Sequence, residues 1–164
     1  MNKRLLPLCS ILLFSFLFSQ SATDKKYHNI ILKDFDGVRC DLSKVVDSSR
    51  ITVVLFWASW CEPCKKEMTE LKATTEKTAM PGLSIVAVNL DANKDIIKAR
   101  RTIAQLGSGF LQLYDERGEA GRKYNVTAIP RMFIIDGNGR IRFEHQGFND
   151  ISTIENELMR LYKK

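Results

Sequence analysis

Cys61 and Cys64 stand three positions apart in Trp60-Cys61-Glu62-Pro63-Cys64, directly after the apolar run Ile51 to Trp57. Two thiols at that spacing, where a buried strand gives way to a helix, form a reversible disulfide site. A helix start exposes unpaired N–H groups and about half a positive charge, which favour thiolate over thiol, so Cys61 is the expected attacking sulfur. Pro63 falls in the first turn, where its missing N–H costs nothing, and it limits the conformations that link the two sulfurs. Cys64, facing inward, is the expected resolving thiol. Each step exchanges sulfur partners, so no cofactor is expected.

Two other uses of a cysteine pair weigh less. A loop closed by two intervening residues removes little chain entropy, so the pair makes a poor structural staple. A structural zinc site needs four ligands, and only Cys40, His28 and His145 remain in the mature chain, with no second close-set pair. No metal is expected.

The elements that must hold these thiols follow a positive start and an apolar stretch. Met1 to Arg4, Leu5 to Phe18 and the small-residue exit Ser19-Gln20-Ser21-Ala22 read as a secretory signal peptide over residues 1–22. Spanning a bilayer takes about 20 apolar residues, so cleavage is favoured over a short uncleaved anchor. Most of the apolar stretch follows Cys9, which argues against a lipid-modified cysteine there. Export places the chain outside the cytosol, where disulfides persist. The 164 residues, 45% of them hydrophobic, leave one domain over residues 23–164. The net charge of +6 is scattered singly and in pairs, which makes a nucleic-acid partner a weak reading.

The mature chain alternates strand and helix patterns, an α/β class with a central mixed sheet flanked by helices. Tyr27 to Leu32 and Val38 to Leu42 flank Asp36-Gly37 and predict an N-terminal hairpin extension. Ile51 to Trp57 predicts a strand covered on both faces, Glu62 to about Thr78 a helix stopped near Met80-Pro81-Gly82, and Leu83 to Val88 a second buried strand. Together these make one βαβ unit. Ile96, Ala99, Ile103 and Leu106 recur at helical spacing behind Asp91 and Asn93, expected caps, with a stop at Gly107. A short helix is expected around Glu119 to Tyr124. Met132 to Ile135 and Ile141 to Phe143 flank Asp136-Gly137-Asn138-Gly139, a hairpin signal, and Ile151, Ile154, Leu158 and Leu161 predict a closing amphipathic helix behind Asn149-Asp150.

Phe56 to Glu67, with Ala128-Ile129-Pro130 and a hairpin much later, resembles the exported thioredoxin-like proteins of the TlpA/ResA type. The resemblance covers roughly Tyr27 to Tyr162. It is specific, because a tryptophan-flanked C-x-P-C between strand and helix is far rarer than a bare C-x-x-C. It implies a thioredoxin-like fold and an extracytoplasmic thiol–disulfide oxidoreductase acting on protein disulfides, in a group that includes membrane-associated reductases of cytochrome c maturation. With the compartment, it also implies a membrane relay bringing electrons outward.

The resemblance also bears on individual residues. Glu67, three positions beyond Cys64, is either a solvated helix glutamate or the proton acceptor for Cys64; the resemblance, in which a glutamate here tunes the active site, supports the latter. Leu55 stands where many thioredoxins carry a buried Asp. Pro130 resembles the cis-proline that lies against the C-x-x-C, which would turn the backbone of Ile129 toward an extended peptide. Arg131 departs from the small residue often found next. Trp60, Glu62, Pro63, Ile129 and Pro130 are therefore the residues expected to meet substrate, with Trp57 in the core. Glu62 opposes a Cys61 thiolate while Lys65 and Lys66 favour one; a strongly oxidising couple needs an unusually stable thiolate, and the acidic Glu62 works against that, so a reductant is expected. Cys40 reads as a small buried hydrophobe. Competing classes are a thiol peroxidase, disfavoured because Ala58 stands three before Cys61, and a binding module acting as a chaperone or metal carrier.

Overall fold

A computed structural model describes residues 25–107 and 109–163. The leader over residues 1–22 and Cys9 lie outside the described residues. The chain runs β1 (Ile31–Asp34), β2 (Arg39–Asp41), α1 (Leu42–Asp47), β3 (Ile51–Trp57), α2 (Glu62–Thr78), β4 (Leu83–Asn89), a 3-10 turn (Asn93–Asp95), α3 (Ile96–Leu106), β5 (Leu111–Tyr114), α4 (Glu119–Lys123), β6 (Arg131–Asp136), β7 (Ile141–Gln146) and α5 (Ile151–Tyr162). Among the described residues the strands form one mixed sheet in the order β2-β1-β5-β4-β3-β6-β7. The pairs β3/β4 and β4/β5 are parallel, and the rest are antiparallel.

All seven residues of β3 are buried, and their alternation divides the core. Ile51, Val53, Leu55 and Trp57 join both active-site cysteines, Met68 and Leu71 of α2, and Ile154 and Leu158 of α5. Val54 and Phe56 point to the other face, with Leu42 and Val46 of α1, Ala120 of α4 and Tyr124 at its C-terminal cap. A strand with helices on both sides must be apolar throughout, which is why the run lacks the polar alternation of a half-exposed strand. Each fully buried aliphatic or aromatic side chain here stabilises the fold by roughly 1.5–3 kcal/mol.

The structure corrects the expected boundaries in several places. The N-terminal hairpin exists, with Leu32 opposite Cys40, but Val38 lies in its exposed turn and Leu42 begins a helix. Helix α1 is absent from the hydrophobic pattern because it is only six residues long; a polar cap starts it. Asp41 accepts from Ser43 N at 3.0 Å and Ser43 Oγ at 2.7 Å, and the Ser43 hydroxyl and Asn29 hold its carboxyl below the usual carboxylate range. Strand β5 is likewise too short to announce itself, and parallel pairing with β4 forms it. Asp91 and Asn93 do not cap α3, whose N-cap is Asp95 without a side-chain bond; Asp91 is engaged at the β3 end instead. The stop at Gly107, the short helix at α4 and the capped α5 follow the sequence. The β6/β7 turn closes through Asp136 Oδ1, which accepts from Asn138 N and Arg140 N. At Gly139, with φ +73°, a Cβ would lie 2.9 Å from the Tyr27 ring, so this turn position requires glycine.

Candidate active site

Strand β3 delivers the chain to the start of α2, and the two cysteines sit at that junction. Cys61 is the N-cap, in extended conformation, and its sulfur accepts the Cys64 backbone N–H at 3.2 Å. Glu62 and Pro63 occupy the first two helical positions and are exposed, while Cys64 is buried within the first turn. Cys61 and Cys64 are joined as a disulfide, with their Cα atoms 5.3 Å apart. Cys61 retains 4% exposure against none for Cys64, and the adjacent Trp60 is 62% exposed. Of the two, Cys61 keeps a small residual exposure next in sequence to the exposed Trp60, and Cys64 is enclosed.

The loop before Cys61 is held from β4. The carboxylate of buried Asp91 accepts from Ser59 N at 2.8 Å, Ser59 Oγ at 3.1 Å and Asn89 Nδ2 at 2.8 Å. Cys61 N then donates to Ala58 O at 3.0 Å. Replacing Asp91 by Ala strands these buried donors, each at a cost of about 1–3 kcal/mol. We expect Asp91→Ala to lower the unfolding free energy by roughly 3 kcal/mol, read as a shift in the urea midpoint at constant slope.

Glu67 is not a solvated helix glutamate: it is fully buried on the Cys64 face of α2. Its Oε2 lies 3.2 Å from His145 Nε2 and accepts Asn149 N at 3.3 Å, while Oε1 is buried with no hydrogen-bond partner among the described residues. His145 comes from β7, opposite Met132 on β6.

The Ile129–Pro130 peptide bond is cis, as the resemblance implied, and Pro130 is buried just before β6. Ile129 is partly buried and packs against the cluster that contains Cys61, Cys64 and Trp57. Pro130 O accepts Gly147 N at 2.8 Å, which ties the start of β6 to the end of β7. Phe148, next in the chain, is exposed and carries the Lys66 ammonium 4.6 Å above its ring. Arg131 faces Glu144, with Nη2 2.6 Å from Oε2, and its guanidinium covers the Phe133 ring, so the charge is engaged along the sheet. Glu62 and Lys65 form an ion pair, so their opposed influences on Cys61 are largely mutual.

Trp57 is fully buried. Cys40 is partly covered on β2, and burial followed by the nearby Asp41 and Asp34 charges pushes its thiol up, away from reactivity. His28 packs edge-on against Tyr124, apart from the His145–Glu67 contact.

Sequence reasoning missed Ser59, Asp91, His145 and Asn149. Their partners lie 32, 78 and 82 positions away, a separation that no local pattern encodes. The available signals were weak: a polar Asn89-Leu90-Asp91 at the end of an apolar strand, and a histidine on an otherwise inward-facing β7 position.

Residues 23–144 match the model of the AhpC/TSA family. A thiol-disulfide oxidoreductase ResA of Bacillus thuringiensis subsp. konkukian is 28% identical over 84% of this chain and 77% of its own length. A thiol:disulfide interchange protein DsbE of Yersinia pestis is 36% identical over 66% of this chain and 55% of its own. Among solved structures, a proposed thiol:disulfide interchange protein DsbE from Chlorobium tepidum superimposes with a TM-score of 0.74 at 29% identity, covering 85% of this chain and 96% of that one. The mixed sheet, the flanking helices and the joined cysteines at the α2 start agree with these likenesses. The chain belongs to the AhpC/TSA family and is a thioredoxin-like thiol–disulfide oxidoreductase of the TlpA/ResA type.

Proposed function

We propose that this oxidoreductase works outside the cytosol as a reductant of protein disulfides, with Cys61 as nucleophile, Cys64 as resolving thiol and Glu67 as proton acceptor. The observation that carries the reading is the asymmetric pair at the α2 start, Cys61 with a small residual exposure next in sequence to exposed Trp60 and Cys64 fully buried. In the cycle, the Cys61 thiolate attacks one sulfur of a substrate disulfide, the substrate S–S bond breaks, and one substrate sulfur leaves as a thiolate. Cys64 then gives its proton to Glu67 and attacks Cys61. The Cys61–Cys64 bond forms, the mixed disulfide breaks, and the substrate leaves with two electrons. Trp60, Glu62 and Pro63 on one side and Ile129 and Pro130 on the other form the substrate surface, where a partner strand meets the Ile129 backbone. Residues 1–22 serve as the export leader, and residues 23–164 as the one folded domain.

The direction of transfer follows from charge. A strongly oxidising couple needs an unusually stable reduced thiolate, and Glu62, paired to Lys65, supplies no net cation beside Cys61. Reoxidised Cys61–Cys64 then requires an electron source across the membrane. Disulfides formed between apocytochrome c thiols are one substrate class, consistent with the resemblance. Equilibration against dithiothreitol or glutathione should give a midpoint more negative than about −180 mV; a value near about −120 mV, that of the strongest disulfide donors, would overturn the reducing assignment.

A further inference from the structure

Glu67 carries two unequal oxygens. Oε2 is fixed from two directions, by His145 Nε2 at 3.2 Å and Asn149 N at 3.3 Å, while Oε1 is buried without a partner among the described residues. A buried polar atom left without a partner is costly, so one retained on the helical face that carries Cys64 calls for a use. His145 itself is almost covered, its side chain 9% exposed, with Phe143 packed against its ring at 5.6 Å and Nδ1 without a partner. Among the described residues no other charged side chain shares the contact. On α2 the titratable group sharing Glu67's buried face is Cys64, and Lys66 turns to Phe148 and Glu70. From the segment after β7, Asp150 is engaged with Ser152. From β6, Met132 faces His145, and Arg131 is bound to Glu144. From β3 and α5 the cluster contributes Leu55, Trp57, Ile154 and Leu158, all apolar.

We propose that His145 is a positioning residue for the resolving half-reaction: its Nε2–H holds Glu67 by Oε2 and thereby leaves Oε1 as the atom that receives the Cys64 proton. This rests on Glu67 being the acceptor. In the step, the Cys64 S–H bond breaks and an O–H bond forms at Oε1. The new thiolate attacks Cys61, the Cys61–Cys64 bond forms, and the departing sulfur takes the electron pair of the mixed disulfide. The imidazole transfers no electrons, and it keeps the carboxylate from rotating its free oxygen away.

The two half-reactions separate with one equivalent of 5,5′-dithiobis(2-nitrobenzoate) added to reduced protein. Attack by Cys61 releases the first thionitrobenzoate, and attack by Cys64 on Cys61 releases the second. His145→Ala should slow the second release by about tenfold, the lower range for lost orienting partners, and move its pH profile, while leaving the first within about twofold. Glu67→Gln should do the same to a larger extent, and the double variant should be no slower than Glu67→Gln alone. His145→Gln, which can still donate to Oε2, should restore most of the rate. If the alanine variant does not fold, His145→Leu, closer in volume, replaces it. The inference is overturned if the second release in the apolar variant keeps its rate and pH profile while Glu67→Gln slows it, or if both releases slow together. Equal slowing in His145→Gln and His145→Ala also overturns it. An unaffected second release in Glu67→Gln removes the acceptor assignment, and the inference with it, yet leaves exchange by the two cysteines standing.

Discussion

Cys64→Ser is expected to react once with a disulfide substrate and then stop, holding the partner covalently on Cys61. The serine hydroxyl cannot attack a disulfide at neutral pH, so the mixed disulfide outlives purification, and a non-reducing gel followed by mass spectrometry reads both the stall and the partner. Cys61→Ser should instead remove exchange from the outset, lowering substrate reduction by on the order of 10³-fold or more, since loss of a nucleophile removes the covalent route altogether. The difference arises from placement: Cys61 is the sulfur with residual exposure, next to Trp60, and Cys64 is enclosed behind it. A Cys64→Ser protein that still turned over, or a Cys61→Ser protein that formed the trapped species through Cys64, would reverse the assigned roles. A thiol peroxidase would instead consume peroxide with Cys64 absent. A binding module would keep its function with both sulfurs gone.

Phe56→Ala should be the most damaging substitution for stability that leaves the chemistry alone. Phe56 is fully buried on the sheet face away from the cysteines. Its ring centroid lies 5.2 Å from that of Tyr124 and 6.1 Å from that of Phe133, and those two are 4.9 Å apart in an edge-to-face arrangement. Tyr124 completes the cluster by donating its hydroxyl to His28 O at 2.7 Å, and burial pushes its phenol up, so it stays protonated. Removing the ring loses its transfer free energy and leaves a cavity that rigid β3, β4 and β6 neighbours cannot collapse into, a cost of about 3–5 kcal/mol. For a domain of this size that corresponds to a fall in Tm of roughly 10–15 °C. The exchange rate of the folded fraction should remain within about twofold. A loss below about 1 kcal/mol by calorimetry would mean that the aromatic cluster is less tightly packed than its ring geometry implies.

The legible and the hidden parts of this protein differ in range. Ile51 to Trp57 announced β3 because a strand buried on both faces needs an unbroken apolar run, and Asp150 announced α5 because a cap and its helix are neighbours in the chain. Helix α1 and strand β5 were invisible for the opposite reason. Six residues and four residues carry too little periodicity, and a cap at Asp41 and a ladder from β4 supply what their sequences lack. Asp91 was misread as a helix cap because an aspartate ahead of a helical pattern has that role by default; in the fold, a buried amide and hydroxyl from Ser59 reach it first.

The chemistry itself was fixed by short-range spacing. Cys61 and Cys64 are bridged within a single turn, and the apolar run before them and the proline between them dictate where that turn begins. Glu67 shows what spacing leaves open. Three positions beyond Cys64 place it on the same helical face, but whether that face meets water or the protein interior depends on what arrives from elsewhere in the chain. Tertiary structure decided it, because β7 and the segment before α5, about eighty residues on, close over the carboxylate and supply His145 Nε2 and Asn149 N. A local sequence can set which atoms are able to react, whereas burial and hydrogen-bond supply come from distant segments and exist only once the chain has packed.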